Sequence, residues 1–124
     1  AGSTGRGSGM EVQLAIGGRT FRAAFDDGDV ARALISRMPF DASMSELNGN
    51  EKYVYLDAPL PADARRQSSI RAGDIMLFGS ECLVLFYRDF PTSYSYTPIG
   101  RVVDATGLAD AVGPGPVDVA WERA

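Results

Sequence analysis

The chain has 124 residues, 16 of them acidic and 12 basic, which gives a formal net charge of −4 at pH 7. Nucleic acids and anionic membranes are bound through clusters of Lys and Arg, so an acidic chain with scattered arginines predicts neither partner. The sequence has no histidine and one cysteine, which excludes Ser-His-Asp and Cys-His catalysis and an internal disulfide, and no metal or other cofactor is expected.

Cellular location and domain organisation are inferred from the apolar pattern. No apolar run approaches the roughly 18 residues of a membrane span, and no signal-peptide pattern is present. A single cysteine fits a reducing compartment, so we expect a soluble, cytoplasmic protein. Residues 1–9, AGSTGRGSG, are interpreted as a flexible leader left from cloning. Residues 10–124 have the length of a single domain.

The first elements in the chain are a hairpin and a helix. Apolar and polar residues alternate over Val12–Ile16 and again over Phe21–Phe25, on either side of Gly17-Gly18, which predicts a β-hairpin with one buried face. Val30, Leu34 and Met38 then follow at helical spacing.

The carboxylates of Asp26, Asp27 and Asp29 precede this helix. They are interpreted as an aspartate cap and as favourable charges at the positive end of the helix dipole. The alternative is a calcium loop, but the ligand spacing and the closing glutamate of such a loop are missing.

A further hairpin is predicted around Asn48-Gly49-Asn50, the strongest turn signal in the sequence. It joins the strands Ala42–Leu47 and Lys52–Leu56. In the second strand, Tyr53 and Tyr55 share one face because side chains alternate along a strand.

Residues 57–69 lack a strong period and predict a long loop with one helical turn around Ala62–Gln67. The Arg65-Arg66 pair within it has two interpretations. The preferred interpretation is an exposed surface pair, and the less favoured one is an anion site.

The densest run of strand-forming residues lies between Gly73 and Val102. Ile75–Phe78 and Cys82–Tyr87 form a hairpin that is apolar on both faces, which predicts two central strands covered on both sides. Cys82 is expected to be a buried structural thiol. Ile99–Val103 is predicted as a third strand after a loop.

The C-terminal residues add a short helix, Leu108–Val112, and a half-buried closing strand from Val117 to Trp121. The sequence therefore predicts a mainly β protein. We expect a closed, mostly antiparallel barrel of about eight strands with one or two short helices, since closure removes exposed sheet edges.

Several motifs occur in the order found in a known family. They are Met38-Pro39-Phe40, Asn48-Gly49 before Tyr53-Val54-Tyr55-Leu56, Gly73-Asp74-Ile75, Leu85-Phe86-Tyr87, and Tyr96-Thr97-Pro98-Ile99-Gly100-Arg101-Val102. Over most of residues 10–122 the chain resembles the bacterial cyclophilin-like domains, which are small β-barrels related in fold to the peptidyl-prolyl isomerases. The resemblance implies a cyclophilin-like barrel and no settled function.

The active cyclophilins resemble the chain at two places. Their Gln-Phe-Phe-Ile strand is similar to Val84–Tyr87, which implies that Phe86 corresponds to the ring at the floor of the proline pocket. Their His-Val-Val-Phe-Gly segment is similar to Tyr96–Gly100, which implies that Tyr96 stands where they have a histidine.

The chain departs from active cyclophilins at their catalytic arginine, because no arginine lies between Met38 and Tyr53. Their tryptophan is also missing from its place, since Trp121 falls in the closing strand. Prolyl isomerisation needs only an apolar pocket and a positive donor that favours the twisted amide. Arg88 is the one candidate for that catalytic role, and its alternative is a solvated arginine at a strand end.

Three functions remain open. The first is a non-enzymatic binding module with a groove for an extended peptide or a small apolar ligand. The second is a weak peptidyl-prolyl cis-trans isomerase that uses the same groove, and the third is a structural or assembly domain, for which a homodimer is the simplest form. The expected ligand-binding residues are Phe86, Arg88, Phe90, Tyr94 and Tyr96.

Overall fold

The computed structural model describes residues 10–124, and the leader proposed for residues 1–9 lies outside this range. Eleven strands and two helices follow one another in the described part of the chain. They are β1 (Met10–Ile16), β2 (Arg19–Phe25), α1 (Asp29–Ser36), β3 (Phe40–Leu47), β4 (Glu51–Tyr55), β5 (Arg65–Arg66), β6 (Ser69–Ile70), β7 (Asp74–Phe78), β8 (Cys82–Phe86), β9 (Phe90–Pro91), β10 (Ser95–Val102), α2 (Leu108–Val112) and β11 (Val117–Arg123).

Eight of these strands form a closed antiparallel barrel. Their order around it is β2-β1-β11-β3-β4-β8-β7-β10, and β10 pairs with β2 to complete the circle. The fold class predicted from the sequence is confirmed. The three predicted hairpins are confirmed as well, and Asn48 and Gly49 both have the positive φ that their turn requires.

Barrel closure depends on Gly100. This residue faces Phe25 of β2 on one side and Ile75 of β7 on the other, next to a register shift in the β7–β10 pairing. A Cβ at position 100 would lie 2.4 Å from the carbonyl oxygen of Ala24 and 2.7 Å from the Cα of Phe25. Both are backbone atoms of the neighbouring strand, so they cannot move aside without separating β10 from β2.

The barrel interior is filled by one apolar core. Its largest fully buried members include Trp121, Phe25 and Leu14. The helix α1 contributes Val30 and Leu34 to this core. Because the interior is filled by side chains, the barrel itself leaves no room for a ligand along its axis.

The start of α1 differs from the predicted aspartate cap. The N-cap residue is Gly28, in an extended conformation, and no side chain caps the helix. Asp27 and Asp29 instead pair with the guanidinium of Arg32, with 3.1 Å between Arg32 Nη2 and Asp29 Oδ1. The capping prediction is wrong because this arginine, one turn into the helix, provides a charged partner for both carboxylates.

A polar network around Lys52 ties a loop to the barrel. The Lys52 side chain is completely buried and points away from the face that carries Tyr53. Its Nζ donates hydrogen bonds to Glu46 Oε1 at 2.8 Å, to the carbonyl of Gly113 at 2.8 Å, and to the carbonyl of Gly115.

Glu46 is the charged partner within this network. It also accepts a hydrogen bond of 2.6 Å from the Tyr87 hydroxyl. Burial alone would raise the pKa of Glu46, but the hydrogen bonds from Lys52 and Tyr87 outweigh it and hold that pKa below its ordinary value. Glu46 is therefore the ionised partner of Lys52 at neutral pH.

Two local predictions between residues 57 and 103 are wrong. Ala62–Gln67 forms no helical turn, because Arg65 and Arg66 pair as a short strand with Tyr96 and Ser95. That pairing also makes β10 begin at Ser95 rather than Ile99, and β10 ends at Val102. Pro98, which suggested a loop, is accommodated inside β10 beside the register shift.

The remaining predicted elements are confirmed. The short helix Leu108–Val112 and the closing strand at Val117–Arg123 are both present. Residues 65 and 66 are exposed, as expected for a surface pair. Neither helix in residues 10–124 has the length and apolarity needed to cross a membrane.

Gly100→Ala is expected to lower the free energy of unfolding by about 3 kcal/mol, because the added methyl group meets the β2 backbone rather than a flexible side chain. Chemical denaturation measures this change. Gly115→Ala is the matched control, since a Cβ at position 115 meets nothing within 4 Å. A Gly100→Ala protein as stable as the Gly115→Ala protein would contradict the role given to Gly100.

Candidate functional site

A second buried apolar cluster lies on the outside of the barrel wall. Side chains alternate across β7, β8 and β10, so that every second residue points away from the barrel interior. The fully or nearly buried members of this outer cluster are Ile70, Met76, Cys82, Val84, Phe86 and Tyr96. An outer face of a barrel is normally exposed to water, so a buried cluster there requires a covering element.

Two chain segments provide that cover. Residues 65–70 and 90–96 pair with one another through β6 and β9, and the N–H of Gln67 donates to the carbonyl of Tyr94 at 3.1 Å. The N–H of Thr92 donates to the carbonyl of Ser68 at 3.2 Å. We call these two segments the outer ribbon. It buries Ile70 and partly buries Phe90 against the wall.

Beside the outer ribbon, the wall carries an open cavity of about 240 Å³, which we call the aromatic cavity. Its lining comes from β3, β4, β7, β8 and β10 and from the turns next to them. The lining residues are Leu47, Asn48, Glu51, Tyr53, Tyr55, Phe78, Cys82, Val84, Tyr94 and Tyr96. Five large hydrophobic side chains of residues 10–124 are exposed, and four of them (Leu47, Tyr55, Phe78 and Tyr94) line this cavity.

The aromatic rings of the cavity contact one another at defined angles. Tyr53 and Tyr55 meet edge to face with their centroids 5.9 Å apart. The rings of Phe78 and Tyr96 are 5.6 Å apart, and Phe86 supports Tyr96 from beneath at 5.5 Å with perpendicular planes. Edge-to-face contacts of this kind favour defined ring orientations, so these rings support one another in the lining of the cavity.

Glu51 is the only ionisable carboxylate in the lining. It lies on the same face of β4 as Tyr53 and Tyr55, and directly opposite Phe86 of β8. The residue is 7% exposed, and its carboxylate makes no hydrogen bond or ion pair with any other residue in the range 10–124. Burial, and then the negative charge of Glu46, raise the pKa of Glu51. Its oxygens are not among the fully buried polar atoms without a partner, so they still reach the opening of the cavity. A largely buried carboxylate without a protein partner lowers the stability of the fold.

Two other titratable groups of the cavity, Tyr96 and Cys82, have raised pKa values. Burial raises the pKa of Tyr96 to about 12, with a further contribution from the charge of Glu51. The pKa of the Cys82 thiol is raised by the same two causes. Cys82 is 6% exposed, which confirms the prediction of a buried thiol. Neither group has the lowered pKa of an activated nucleophile.

The structure places four of the five residues expected to bind a ligand at or beneath the aromatic cavity. Tyr94 and Tyr96 line it. Phe86 is completely buried below Tyr96, and the half-buried Phe90 lies 5.6 Å from Phe86 under the outer ribbon. Phe86 and Tyr96, the two positions that resemble the isomerase pocket, are therefore in contact.

Arg88 lies apart from these residues. Its guanidinium covers the ring of Tyr87 at 5.7 Å, and its Nε donates to the carbonyl of Gly49 at 2.9 Å. The depression that it lines includes Glu46 and Asp110 but none of the residues of the aromatic cavity.

Sequence reasoning missed Glu51, Tyr53, Tyr55 and Phe78 as site residues. The shared face of Tyr53 and Tyr55 was predicted and is confirmed, and extending the same alternation by one step reaches Glu51. The signal that could have nominated Glu51 is thus a lone acidic residue on an aromatic strand face.

A larger surface groove of about 490 Å³ lies on the other side of Tyr55. Its polar side chains include Arg37, whose guanidinium donates to the carbonyls of Ala58 and Pro59. The aromatic cavity is the better candidate, because it combines an exposed aromatic rim with a buried, unpaired charge. Within the described residues, no three acidic or cysteine side chains are grouped as metal ligands.

Comparison with known proteins assigns the chain to a family. The model of the cyclophilin-like family matches residues 14–122. The chain belongs to the cyclophilin-like family. No curated protein matches the sequence. The solution structure of a hypothetical protein from Archaeoglobus fulgidus is similar in fold, with a TM-score of 0.64 and 18% identity over 96% of this chain and 98% of that one.

In this cyclophilin-like domain, Glu51→Gln is expected to raise the free energy of unfolding by roughly 1 kcal/mol at pH 7, because a neutral amide is less costly to bury than an unpaired carboxylate. The difference should disappear as the pH falls. Folding raises the pKa of Glu51 above its ordinary value near 4.5. The ionised carboxylate therefore destabilises the wild type at pH values above the folded-state pKa, and protonation removes this penalty as the pH falls towards the ordinary value.

Denaturation of both proteins between pH 4 and pH 8 measures this difference. Glu122→Gln makes the same charge change at an exposed position of β11 and should leave stability within about 0.5 kcal/mol. A Glu51→Gln protein that is less stable than the wild type at pH 7 would show that the carboxylate has a partner in the folded chain.

Proposed function

We propose that this cyclophilin-like domain is a non-enzymatic binding module whose aromatic cavity receives a small ligand or one side chain of an extended peptide. The observation that carries the proposal is the concentration of exposed apolar side chains at one place. Four of the five exposed large hydrophobic residues in the described chain line the same cavity. Contiguous exposed apolar surface is costly in water and marks sites of interaction.

The size of the cavity restricts the ligand. Its volume of about 240 Å³ lies below the roughly 300–1,000 Å³ of cavities that take a whole drug-sized molecule. A group of the size of one amino-acid side chain or a small metabolite fits this limit. The edge-to-face contacts of Tyr53 with Tyr55, and of Phe86 with Tyr96, support rigid walls that lose little entropy on binding.

Binding is preferred over prolyl isomerisation because of the charges around the cavity. Twisting an Xaa-Pro amide is favoured by a positive donor, whereas no lysine or arginine lines this cavity. Arg88, the candidate from the sequence, interacts with Tyr87 and Gly49 instead. The carboxylate of Glu51 gives the cavity lining a charge of the opposite sign.

A fragment screen tests the proposal. Fragments are added to isotope-labelled protein, and the shifts of backbone amide signals are followed by NMR. We expect hits that shift the amides of residues 51–55 and 94–96. Tyr55→Ala combined with Tyr94→Ala should weaken the best hit by about tenfold, because both rings are mostly exposed and stabilise the ligand more than the fold.

Val103→Ala is the control variant, since Val103 is the one exposed large hydrophobic residue of the described chain outside the cavity. It should leave the affinity of the hit unchanged. A screen whose hits all map elsewhere, or whose hits are insensitive to the double tyrosine variant, would contradict the proposal. Sedimentation of the free protein in the same buffer tests the homodimer separately.

A further inference from the structure

We propose that the ligand of the aromatic cavity is an organic ammonium cation, held between the carboxylate of Glu51 and the rings of the surrounding tyrosines. The inference rests on the proposed function, because it assigns a chemical class to the ligand of the same site. The shared chemistry is a positively charged nitrogen with a compact apolar shell. It occurs in free amines such as choline and on methylated lysine side chains.

The unpaired charge of Glu51 favours a cationic ligand. The residue is 7% exposed, lines the cavity and has no partner among residues 10–124. Taking a carboxylate out of water is unfavourable unless an opposite charge or hydrogen-bond donors replace the water. No basic side chain lines the cavity, so a cationic ligand is the group that would bring the opposite charge to Glu51.

Lys52, unlike Glu51, has partners for its buried charge. Lys52 is the adjacent residue of β4 and is fully buried on the opposite face. Its charge is matched by Glu46 at 2.8 Å and by two backbone carbonyls. The nearest lysine is therefore already paired, and Arg88 is held over Tyr87. Glu51 is the buried charge in the described residues that is left without a partner.

The aromatic rings that line the cavity also favour a cation. The face of an aromatic ring carries partial negative charge and attracts cations within about 6 Å, which is the basis of the aromatic cages that hold methylated ammonium groups. Tyr53, Tyr55, Phe78, Tyr94 and Tyr96 surround the cavity that contains Glu51. Rings and carboxylate thus favour the same sign of ligand charge, and both disfavour an anion.

The other titratable groups around the cavity leave the charge of Glu51 unmatched. The titratable groups that line the cavity with Glu51 are Tyr53 and Tyr55 on its own strand, Cys82 on β8, Tyr94 of the outer ribbon and Tyr96 on β10. Glu46 on β3 adds negative charge. Phenols and thiols carry no positive charge in either protonation state, so none of these groups offsets the charge of Glu51.

Choline and 3,3-dimethyl-1-butanol provide the test, because they have the same shape and hydroxyl group and differ in the charged nitrogen. Each is titrated into labelled protein at pH 7.5, and binding is followed through the amide signals of residues 51–55 and 94–96. We expect choline to bind about tenfold more tightly than the neutral alcohol. Equal affinity for the two probes, or no binding of either, would overturn the inference.

Variants separate the carboxylate from the rest of the cavity. Glu51→Gln should lower the affinity for choline by about tenfold and leave the affinity for the alcohol unchanged, since only the ion pair is lost. Glu122→Gln makes the same charge change outside the cavity and should alter neither affinity. An unchanged preference for choline in the Glu51→Gln protein would overturn the role of Glu51.

The pH dependence gives an independent readout. Choline affinity should fall as the pH is lowered through the pKa of Glu51, whereas the affinity for 3,3-dimethyl-1-butanol should stay constant. A choline affinity that is independent of pH would contradict the inference.

Separate comparisons test where the cation comes from and whether the cavity binds ligands at all. A capped trimethyllysine amide that binds more tightly than choline would assign the site to a protein side chain, and the reverse order would assign it to a free amine. Both results support the inference. If neutral fragments bind the cavity but choline has no advantage, the cation assignment fails and the binding module remains. If nothing binds the cavity, both fail.

Discussion

The closure of the barrel at Gly100 is the constraint on which the rest of the molecule depends. At this point β10 pairs with β2 on one side and β7 on the other, and the backbone of Ala24 leaves no space for a side chain. Closure gives every barrel strand two hydrogen-bonded neighbours and fills the interior with an apolar core. The result is a rigid wall without free edges. Because the interior is packed with side chains, the aromatic cavity lies on the outside of that wall.

The two faces of strand β4 differ in what they do. One face stabilises the fold, and the other face lines the aromatic cavity. Lys52 and Glu51 are neighbours in sequence, and both are buried charges. The inward residue, Lys52, is matched by Glu46 and by loop carbonyls, and it stabilises the connection between β4 and the loop before β11. The outward residue, Glu51, has no such match in the described chain. Natural proteins accept unfavourable groups of this kind where a ligand supplies the missing partner.

The outer ribbon converts an exposed strand face into a cavity. Without residues 65–70 and 90–96, Phe86 and Val84 would face water on the outside of β8. Pairing between these two segments buries Phe86 and supports Tyr96. The ribbon leaves the neighbouring face of β4 uncovered, so Tyr53 and Tyr55 remain available at the edge of the cluster. The aromatic cavity therefore forms where the ribbon leaves part of the apolar wall uncovered.

Much of this architecture is encoded in local sequence patterns. The turn at Asn48-Gly49 and the double-sided apolar runs at Ile75–Phe78 and Cys82–Phe86 were sufficient to predict the hairpins and central strands. The outer ribbon could not be predicted, because Arg65-Arg66 and Ser95 have no strand pattern of their own and depend on pairing across the fold. For the same reason Glu51 was overlooked. The aromatic residues that line the cavity with it come from two other strands, β7 and β10, and from the ribbon.

Glu51 is a largely buried carboxylate without a partner among residues 10–124. Carbon-13 NMR of the glutamate side-chain carboxyl groups, followed through a pH titration of the free protein, tests this property most directly. We expect the Glu51 carboxyl to titrate above the ordinary glutamate range, because burial raises its pKa, and Glu46 to titrate below that range. A Glu51 carboxyl that titrates together with the exposed glutamates would be solvated or paired, and this result would contradict a buried carboxylate without a partner.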